Sequence, residues 1–598
     1  GPRQSWDQNN IRESCLSDFE SQKKWAFYSK TDSALPWFSP LTLVVNWGEN
    51  GDEVKNFTDE SGKLRSRPQN LEFYFRPGFS YMLRSTRIVP YIVPSCVIPT
   101  AGRAQVYPDV HEEFALIGYC ASQIASAISR FNGENFGQPK FQASMVQNIP
   151  TPKLDSSLVN LLKNLIESEF NKRKKTAMQF EPYQEFSMPA LLGIEDLQGT
   201  EWSRYSLIYP DLELAIAQSM GLDANQLEEL ARDVRESLEM QYVPRQMNED
   251  DLEEESSEDE LATVQFIEDS AKTRNEELIS YLVGLHLGRW DARFALHPEL
   301  IPDLPGAFDP LPVCPPASLV NADGSPAFKG QIVSEAWLRA RPDAITLPEM
   351  VGEQVVGKDG QLYPATIPDE EYPIRVAWEG ILVDDPDHSD DIVTRLHEVL
   401  DLLFPGRGEA VEQEACQVLG VKSLREYFRK PSAGGFWMDH VKRYSKSRRK
   451  APIYWLLQSS RKNYALWLYY HRLDKDLLFK AITQYVEPKI RLEEEHLKTL
   501  RAQRGQFGMG GRQAKELDQE MEHQADLLLE LEDFRDKLRR AADLGLEPDL
   551  NDGVVLNIAP LWELVPWNEA KKYWQELLDG KYEWSSIGKQ LRAKGMVK

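Results

Sequence analysis

The chain has 598 residues, 41% of them hydrophobic and 27% charged, and a formal net charge of −25. That length is too great for one hydrophobic core and points to roughly three to five units; the sequence holds neither the uninterrupted apolar run of about 20 residues of a bilayer span nor a secretory segment, so a cytoplasmic protein with no membrane partner is expected. The negative total disfavours nucleic acid as a partner of the chain as a whole, and Cys15, Cys96, Cys120, Cys314 and Cys416, far apart and without a CxxC, read as buried thiols rather than a disulfide framework or a zinc site.

Gly1-Pro2 reads as the scar of tag removal, residues 1–22 as a tail, and the natural protein is expected to begin further upstream. Over 23–153 the pattern is strand and turn. Leu41–Trp47 alternates as a strand with unlike faces, and ENGDE and DESGK are turns. Prolines 77, 90, 94 and 99 confine the following strands to edges and bulges. The run from Glu112 places Phe114, Ile117, Ala121, Ile124 and Ile128 on one face of a single helix packed on this irregular sheet. Within the module, Phe73–Pro108 has four arginines and no carboxylate, a positive island in an acidic chain.

Residues 154–245 form a helical spacer and 246–262 an acidic linker, whose run Asn248–Glu260 carries nine carboxylates, a charge density that cannot be packed. Residues 263–383 hold a buried helix, with Gly284 and Gly288 spaced for close helix packing, and then a proline-rich strap, Ile301–Pro316. The last unit, 384–598, opens with a helix for which Ser389 and Asp390 are candidate caps. SLRE at Ser423–Glu426 follows as a capping box. APIYWLLQSS and YALWLYYHRL form a β-hairpin, and an antiparallel helical hairpin covers 488–540 about a glycine-rich turn. The fold class expected is α+β: a small β-rich domain with a packed helix, then a mainly helical region containing a β-hairpin and a helical hairpin.

Catalytic motifs are scarce. GMGGR at Gly508 lies between two charged helices, where a phosphate loop would follow a strand. No GxxxxGK[ST], HExxH or GxSxG occurs, no nuclease metal motif is complete, and both the Asn-Pro-Pro-aromatic box and the glycine-rich strand end of a methyl-donor site are missing. No catalytic, cofactor or metal residue is therefore assigned. Two basic clusters remain. In the first, Arg76, Arg84, Arg87 and Arg103 lie among Tyr81, Ser85 and Thr86 on loops, where arginine can grip guanine at its major-groove edge; the competing reading is a solvated loop paired with carboxylates elsewhere. The second, KRYSKSRRK at Lys442–Lys450, is a phosphate-gripping strip or, with similar weight, a structural ion-pair partner.

In order, KWAFYSK, LVVNW, FYFRPGFSYMLRS, LIGYCASQIASA, IPTP, GLHLGRWDARFA, FDPLPVCPP, DDPDHSDDIV, EQEACQVLGVKSLREYF, KRYSKSRRKAPIYWLL and NDGVVLNIAPLW, from about Lys23 to Trp562, resemble the C-terminal half of the large adenine-specific DNA methyltransferases of bacterial phage defence, the PglX-like enzymes of BREX and their DISARM relative. The resemblance implies an upstream domain, absent here, that binds S-adenosylmethionine and holds the flipped adenine, and no cofactor in this chain. It implies that Lys23–Pro152 is the target-recognition domain, and that the partners are double-stranded DNA, the upstream domain and other defence proteins.

From residue chemistry, Arg84, Ser85, Thr86, Arg87 and Tyr81 are the expected base-side contacts, with Arg76, Arg103, Lys140, Lys442, Arg443, Lys446, Arg448, Arg449 and Lys450 on the backbone. The function expected is the DNA-recognition and scaffold portion of a site-specific N6-adenine methyltransferase. The alternatives are the specificity half of a fused restriction-modification enzyme and a protein-interaction platform.

Overall fold

A computed structural model describes residues 15–20, 23–30, 36–58, 61–83, 87–100, 103–108, 113–131, 140–150, 155–193, 210–239, 270–446, 449–506 and 511–597. The acidic run, the glycine-rich turn at 507–510 and Arg84, Ser85, Thr86 and Arg448 lie outside them.

The fold is α+β. In the N-terminal module the prolines cut the chain into short strands: β1 (Trp25–Tyr28), β2 (Val44–Asn46), β3 (Gly78–Met82), β4 (Tyr91–Val93), β5 (Val97–Ile98) and β6 (Arg103–Val106). They form two three-stranded sheets. One has the order β2-β1-β5, with β5 parallel to β1; the other is antiparallel, β4-β3-β6, with Ser80 opposite Tyr91 and Gln105. The expected strand at Leu41–Trp47 is ordered as a strand only over its last half.

The expected single helix from Glu112 is two, α1 (Glu113–Ala121) and α2 (Gln123–Phe131). Between them Ser122 Oγ accepts from Ala125 N (3.1 Å) and donates to Tyr119 O (2.7 Å), capping α2 and ending α1. Helix α3 (Ser156–Ala177) is capped by Asp155, which accepts from Leu158 N. It lays Leu158, Leu162, Ile166 and Phe170 into a core shared with α1, α2 and α4 (Pro210–Ser219). α5 (Ala224–Glu239) follows.

The larger core surrounds α6 (Ala271–His286). A three-stranded antiparallel sheet, β7 (Met350–Val351), β8 (Gln354–Val356) and β9 (Leu362–Pro364), was not foreseen; its strands are too short for periodicity to register. β10 (Ile381–Val383) then adds to the expected hairpin of β13 (Tyr454–Gln458) and β14 (Ala465–Tyr469), while the two-residue pair β11 (Ser445–Lys446) and β12 (Arg449–Lys450) just before it is a separate sheet. Every residue of β13 and β14 is buried. Around this sheet pack α7 (Ile392–Leu403), α8 (Gly408–Leu419), α9 (Leu424–Arg429) and α10 (Phe436–Arg443). The helical hairpin is α11 (Glu487–Arg504) against α12 (Arg512–Asp543).

Four local expectations change. Cys15 and Cys96 are joined in a disulfide (Cα–Cα 6.1 Å), so only Cys120, Cys314 and Cys416 are thiols. The cap of α7 is Asp391, neither Ser389 nor Asp390: its carboxylate accepts from Thr394 N at 3.0 Å. Gly284 admits no second helix. A Cβ there would lie 2.4 Å from Trp290 Cδ1 and 2.8 Å from the Tyr454 hydroxyl, and Gly288, at φ +66°, turns the chain at the helix end. The capping box closes one residue early, Glu426 accepting from Lys422 N (2.9 Å) while Ser423 Oγ accepts from Glu426 N.

The strap 301–316 laces the module to the rest of the chain. Phe308 O accepts from both Ser95 N (3.0 Å) and Ser95 Oγ (2.7 Å), Pro305 O from Lys174 Nζ (2.7 Å) and Pro312 O from Gln184 Nε2 (2.7 Å). Phe308 also meets Phe114 edge-on at 5.3 Å. Proline removes the strap's own donors, so its carbonyls are satisfied by its neighbours.

Candidate nucleic-acid interface

Strand β3 organises the first basic cluster. It is the central strand of its sheet, and Phe79, Ser80 and Tyr81 are all fully buried. Burial pushes the Tyr81 phenol well above its ordinary range. Tyr81 is a core residue, because alternation along GFSYM points it at the helices, and it drops out of the base-contact set.

Arg87 drops out as well. It is 5% exposed beside Glu213 of α4. Burial brings its pKa down to about 10 against the pull of Glu213, and burial raises the Glu213 carboxyl to about 7 although Gln123 N donates to it at 2.8 Å. In both groups desolvation outweighs their mutual attraction, and Arg87 lies in the interior beside Glu213 and not on the surface. Arg103, on β6 opposite Met82, is 7% exposed and faces the interior.

What the module does present is different. Arg76 is half-buried, with its guanidinium 5.4 Å over the Phe73 ring, and Phe73 stacks on Tyr107 (5.2 Å, 19°). This ladder leads into β3. At the other end of β3, Phe141 N donates to Leu83 O at 2.6 Å, which sets half-buried Lys140 beside the segment that continues into Arg84, Ser85 and Thr86.

In the second cluster, Lys442 is exposed on the last turn of α10. Arg443 is buried: its Nε lies 2.9 Å from Glu277 Oε1 and its Nη1 3.7 Å from Glu181 Oε2. Burial alone would lower its pKa, but Glu277 and Glu181 outweigh it and hold the guanidinium above its ordinary range. Arg443 is therefore a structural counter-ion and not a phosphate contact. Lys450 is tied to Glu569. Lys446 and Arg449 pair through the backbone of β11 and β12.

Basic residues that the sequence reading passed over lie upstream. The positive island begins at residue 61: residues 61–108 hold seven basic residues and one carboxylate, Glu72. Lys63, Arg65 and Arg67 are all exposed. The whole module 23–153 has fourteen basic and eleven acidic residues, a formal +3 within a chain at −25. Widening the charge window past the Phe73 boundary would have found them.

No protein-family model matches the chain. It is 23% identical over 562 residues to the adenine-specific methyltransferase BrxX of Escherichia coli O9:H4 (strain HS), and 22% identical over 570 residues to the adenine-specific methyltransferase PglX of Lacticaseibacillus casei (strain Zhang). Both alignments take in 91% of this chain. The chain is thus similar to the PglX-type adenine-specific methyltransferases. It spans 40% of the length of the first and 39% of the second, so it corresponds to a part of these PglX-type proteins. Among the described residues no three His, Cys, Asp or Glu side chains are grouped to hold a metal ion, and no described helix is long and apolar enough to cross a membrane.

Proposed function

We propose that this chain is the DNA-recognition and scaffold portion of a site-specific N6-adenine DNA methyltransferase of a bacterial phage-defence system, working in the cytoplasm. The observation that carries the reading is the charge of the N-terminal module, +3 in a chain at −25, in a relative of adenine-specific methyltransferases. Phosphate is repelled by the acidic remainder taken as a whole and drawn to this module.

In this reading, Arg84, Ser85 and Thr86, which follow β3 in the sequence, contact base edges, while Arg76, Lys140 and Lys442 grip the backbone. An arginine fork fits the guanine O6/N7 edge, and phosphate contacts fix register without reading sequence. The S-adenosylmethionine site and the pocket for an extruded adenine belong to another part of the protein, and the strap and the helical core hold the recognition module against it.

The test is duplex binding by the 598-residue chain. Selection from a random duplex pool, followed by sequencing, is expected to return a short site. Arg84→Ala is expected to relax one position of that site by about 1–3 kcal/mol of discrimination, and Lys140→Ala to weaken all sequences alike. The chain alone is expected to transfer no methyl group. S-adenosylmethionine binding to it, or an absence of duplex binding at low salt, overturns the reading.

A further inference from the structure

Arg76 stands on a backbone that is held from both sides. Before it, Phe75 is buried in a small core and takes φ +69°, in the left-handed region that a bulky side chain disfavours. Two hydrogen bonds to the segment at β5 keep it there: Phe75 N donates to Val97 O at 3.1 Å, and Phe75 O accepts from Cys96 N at 3.0 Å. After it, Pro77 fixes its own φ and leads directly into β3. Strain of this kind persists only where the surroundings over-determine it, and it gathers at ligand clamps.

The side chain is braced as well. Its guanidinium lies 5.4 Å over the Phe73 ring, and Phe73 is stacked on Tyr107 at 5.2 Å and 19°. Gly78 lets this stack close. A Cβ there would lie 2.3 Å from Val106 O and 3.3 Å from Tyr107 Cδ1, so a larger residue would push the end of β6 and its ring away. A guanidinium held on a ring gives up less freedom when it binds than one that moves freely in solvent.

The braced fork is uncommitted. Glu72, exposed four residues before it, makes no ion pair with Arg76, and neither does any other carboxylate among the described residues. The Arg76 Nε is buried without a hydrogen-bond partner, and neither Nη group bonds to a described residue. Nη1 and Nη2, side by side in the guanidinium plane, are therefore the donors left for a ligand. Arg87, by contrast, is buried beside Glu213.

Two coplanar donors match two coplanar acceptors. Guanine presents such a pair, O6 and N7, at its major-groove edge. A phosphate asks only for a charge within reach, and a fork fixed in advance adds most where the acceptors share one plane.

We infer that Arg76, braced by Phe73 and Tyr107, is a specificity-determining residue that reads one guanine of the target site through Nη1 and Nη2. The inference rests on the DNA-recognition reading above and moves Arg76 from the backbone contacts to the base-side ones.

Selection by the 598-residue chain from a random duplex pool, repeated with Arg76→Ala, tests it, together with fluorescence anisotropy on the selected duplex across a salt series. Wild type is expected to select a site containing a guanine whose preference over the other bases falls by about 5- to 150-fold in Arg76→Ala. The log–log salt slope is expected to stay at the wild-type value. At that position 7-deazaguanine, which lacks the N7 acceptor, is expected to weaken wild type and to leave Arg76→Ala unaffected. Phe73→Leu, which keeps the cation and removes the brace, is expected to lose part of the same preference and none elsewhere.

An Arg76→Ala chain that keeps the wild-type site overturns the inference, whether its slope falls by about 0.9, as for a lost phosphate contact, or stays unchanged; the DNA-recognition reading then stands on wild-type selection. Wild type that selects no site at low salt overturns that reading and the inference with it. Near-UV circular dichroism identical to wild type establishes that each variant is folded.

Discussion

Arg289 Nη1 lies 2.6 Å from Glu181 Oε1, and this contact ties the segment after α3 to the end of α6. The Glu181 side chain is fully buried, and the same oxygen accepts from Trp290 Nε1 (3.1 Å) and the Tyr454 hydroxyl (3.3 Å), while Ser280 Oγ donates to its other oxygen. Glu277 lies alongside, accepting from Glu181 N at 3.3 Å and pairing with Arg443. Two carboxylates and two guanidiniums therefore share one interior site, where each charge depends on the others for the solvation it has lost.

Removing one member strands the rest. Arg443→Met is expected to destabilise the chain by about 3–5 kcal/mol, because Glu277 and Glu181 stay buried with half their counter-charge. Urea titration of tryptophan fluorescence measures this, and the salt slope of DNA binding is expected to stay at the wild-type value. A stable variant with a shallower slope would return Arg443 to the phosphate-contact set.

Glu185 gives a pH prediction. It is 4% exposed, at a cavity of ≈ 30 Å³ between the module, α3 and the strap, lined among others by Phe38, Phe170 and Pro305. Its Oε2 has no hydrogen-bond partner among the described residues. Burial raises its pKa to about 7, against the opposing pulls of its own backbone N–H and Lys174. A carboxyl raised in the folded state binds its proton more tightly there than in the unfolded chain. Its contribution to stability is complete below about pH 4.5 and is lost as pH rises towards 7. Glu185→Gln is expected to flatten this dependence and to add on the order of 2 kcal/mol at pH 8 with little change at pH 4.5. Greater loss at pH 8 than at pH 4.5 would mean that Lys174 outweighs the burial.

The sequence carried the larger elements because their signals are local and repeated. Leu158, Leu162, Ile166 and Phe170 mark α3 at helical spacing, and the apolar runs around Leu456 and Leu466 mark β13 and β14. It did not carry pairings decided across the chain. Charge counting treats Arg87 and Arg443 as free cations, since their partners Glu213, Glu181 and Glu277 lie far away in sequence. Cys15 and Cys96 meet across 81 residues. β10 joins β14 across more than eighty positions, with Ile381 opposite Leu468, and no pattern within ILV announces it.

The cap of α7 separates two readings of SDD at 389–391. Asp391 accepts from Thr394 N at 3.0 Å and pairs bidentately with Arg425, at 2.9 and 2.8 Å. Burial acts to raise its pKa, but Arg425 and Thr394 outweigh that and hold it below the usual carboxylate range. Asp391→Ala is expected to cost about 1–2 kcal/mol for the cap alone, and more because Arg425 keeps only Asp384 of its two carboxylate partners. Ser389→Ala, exposed, should stay within about 0.5 kcal/mol of wild type. Equal losses in thermal unfolding would remove the distinction.

Tyr81 separates a core phenol from a base contact. Its hydroxyl is buried with no hydrogen-bond partner among the described residues, so it stays desolvated without compensation. Deleting such a group is neutral or favourable, because the fold stops bearing a desolvation cost of about 1–3 kcal/mol. Tyr81→Phe is therefore expected to unfold at the same or a higher urea concentration and to select the same DNA site as wild type from a random duplex pool. A base-contacting phenol would behave the opposite way, losing discrimination at one position with no gain in stability. That outcome would require β3 to turn its side chains outward, which the pairing of Tyr81 with Ala104 and the burial of Phe79 on the same face do not allow.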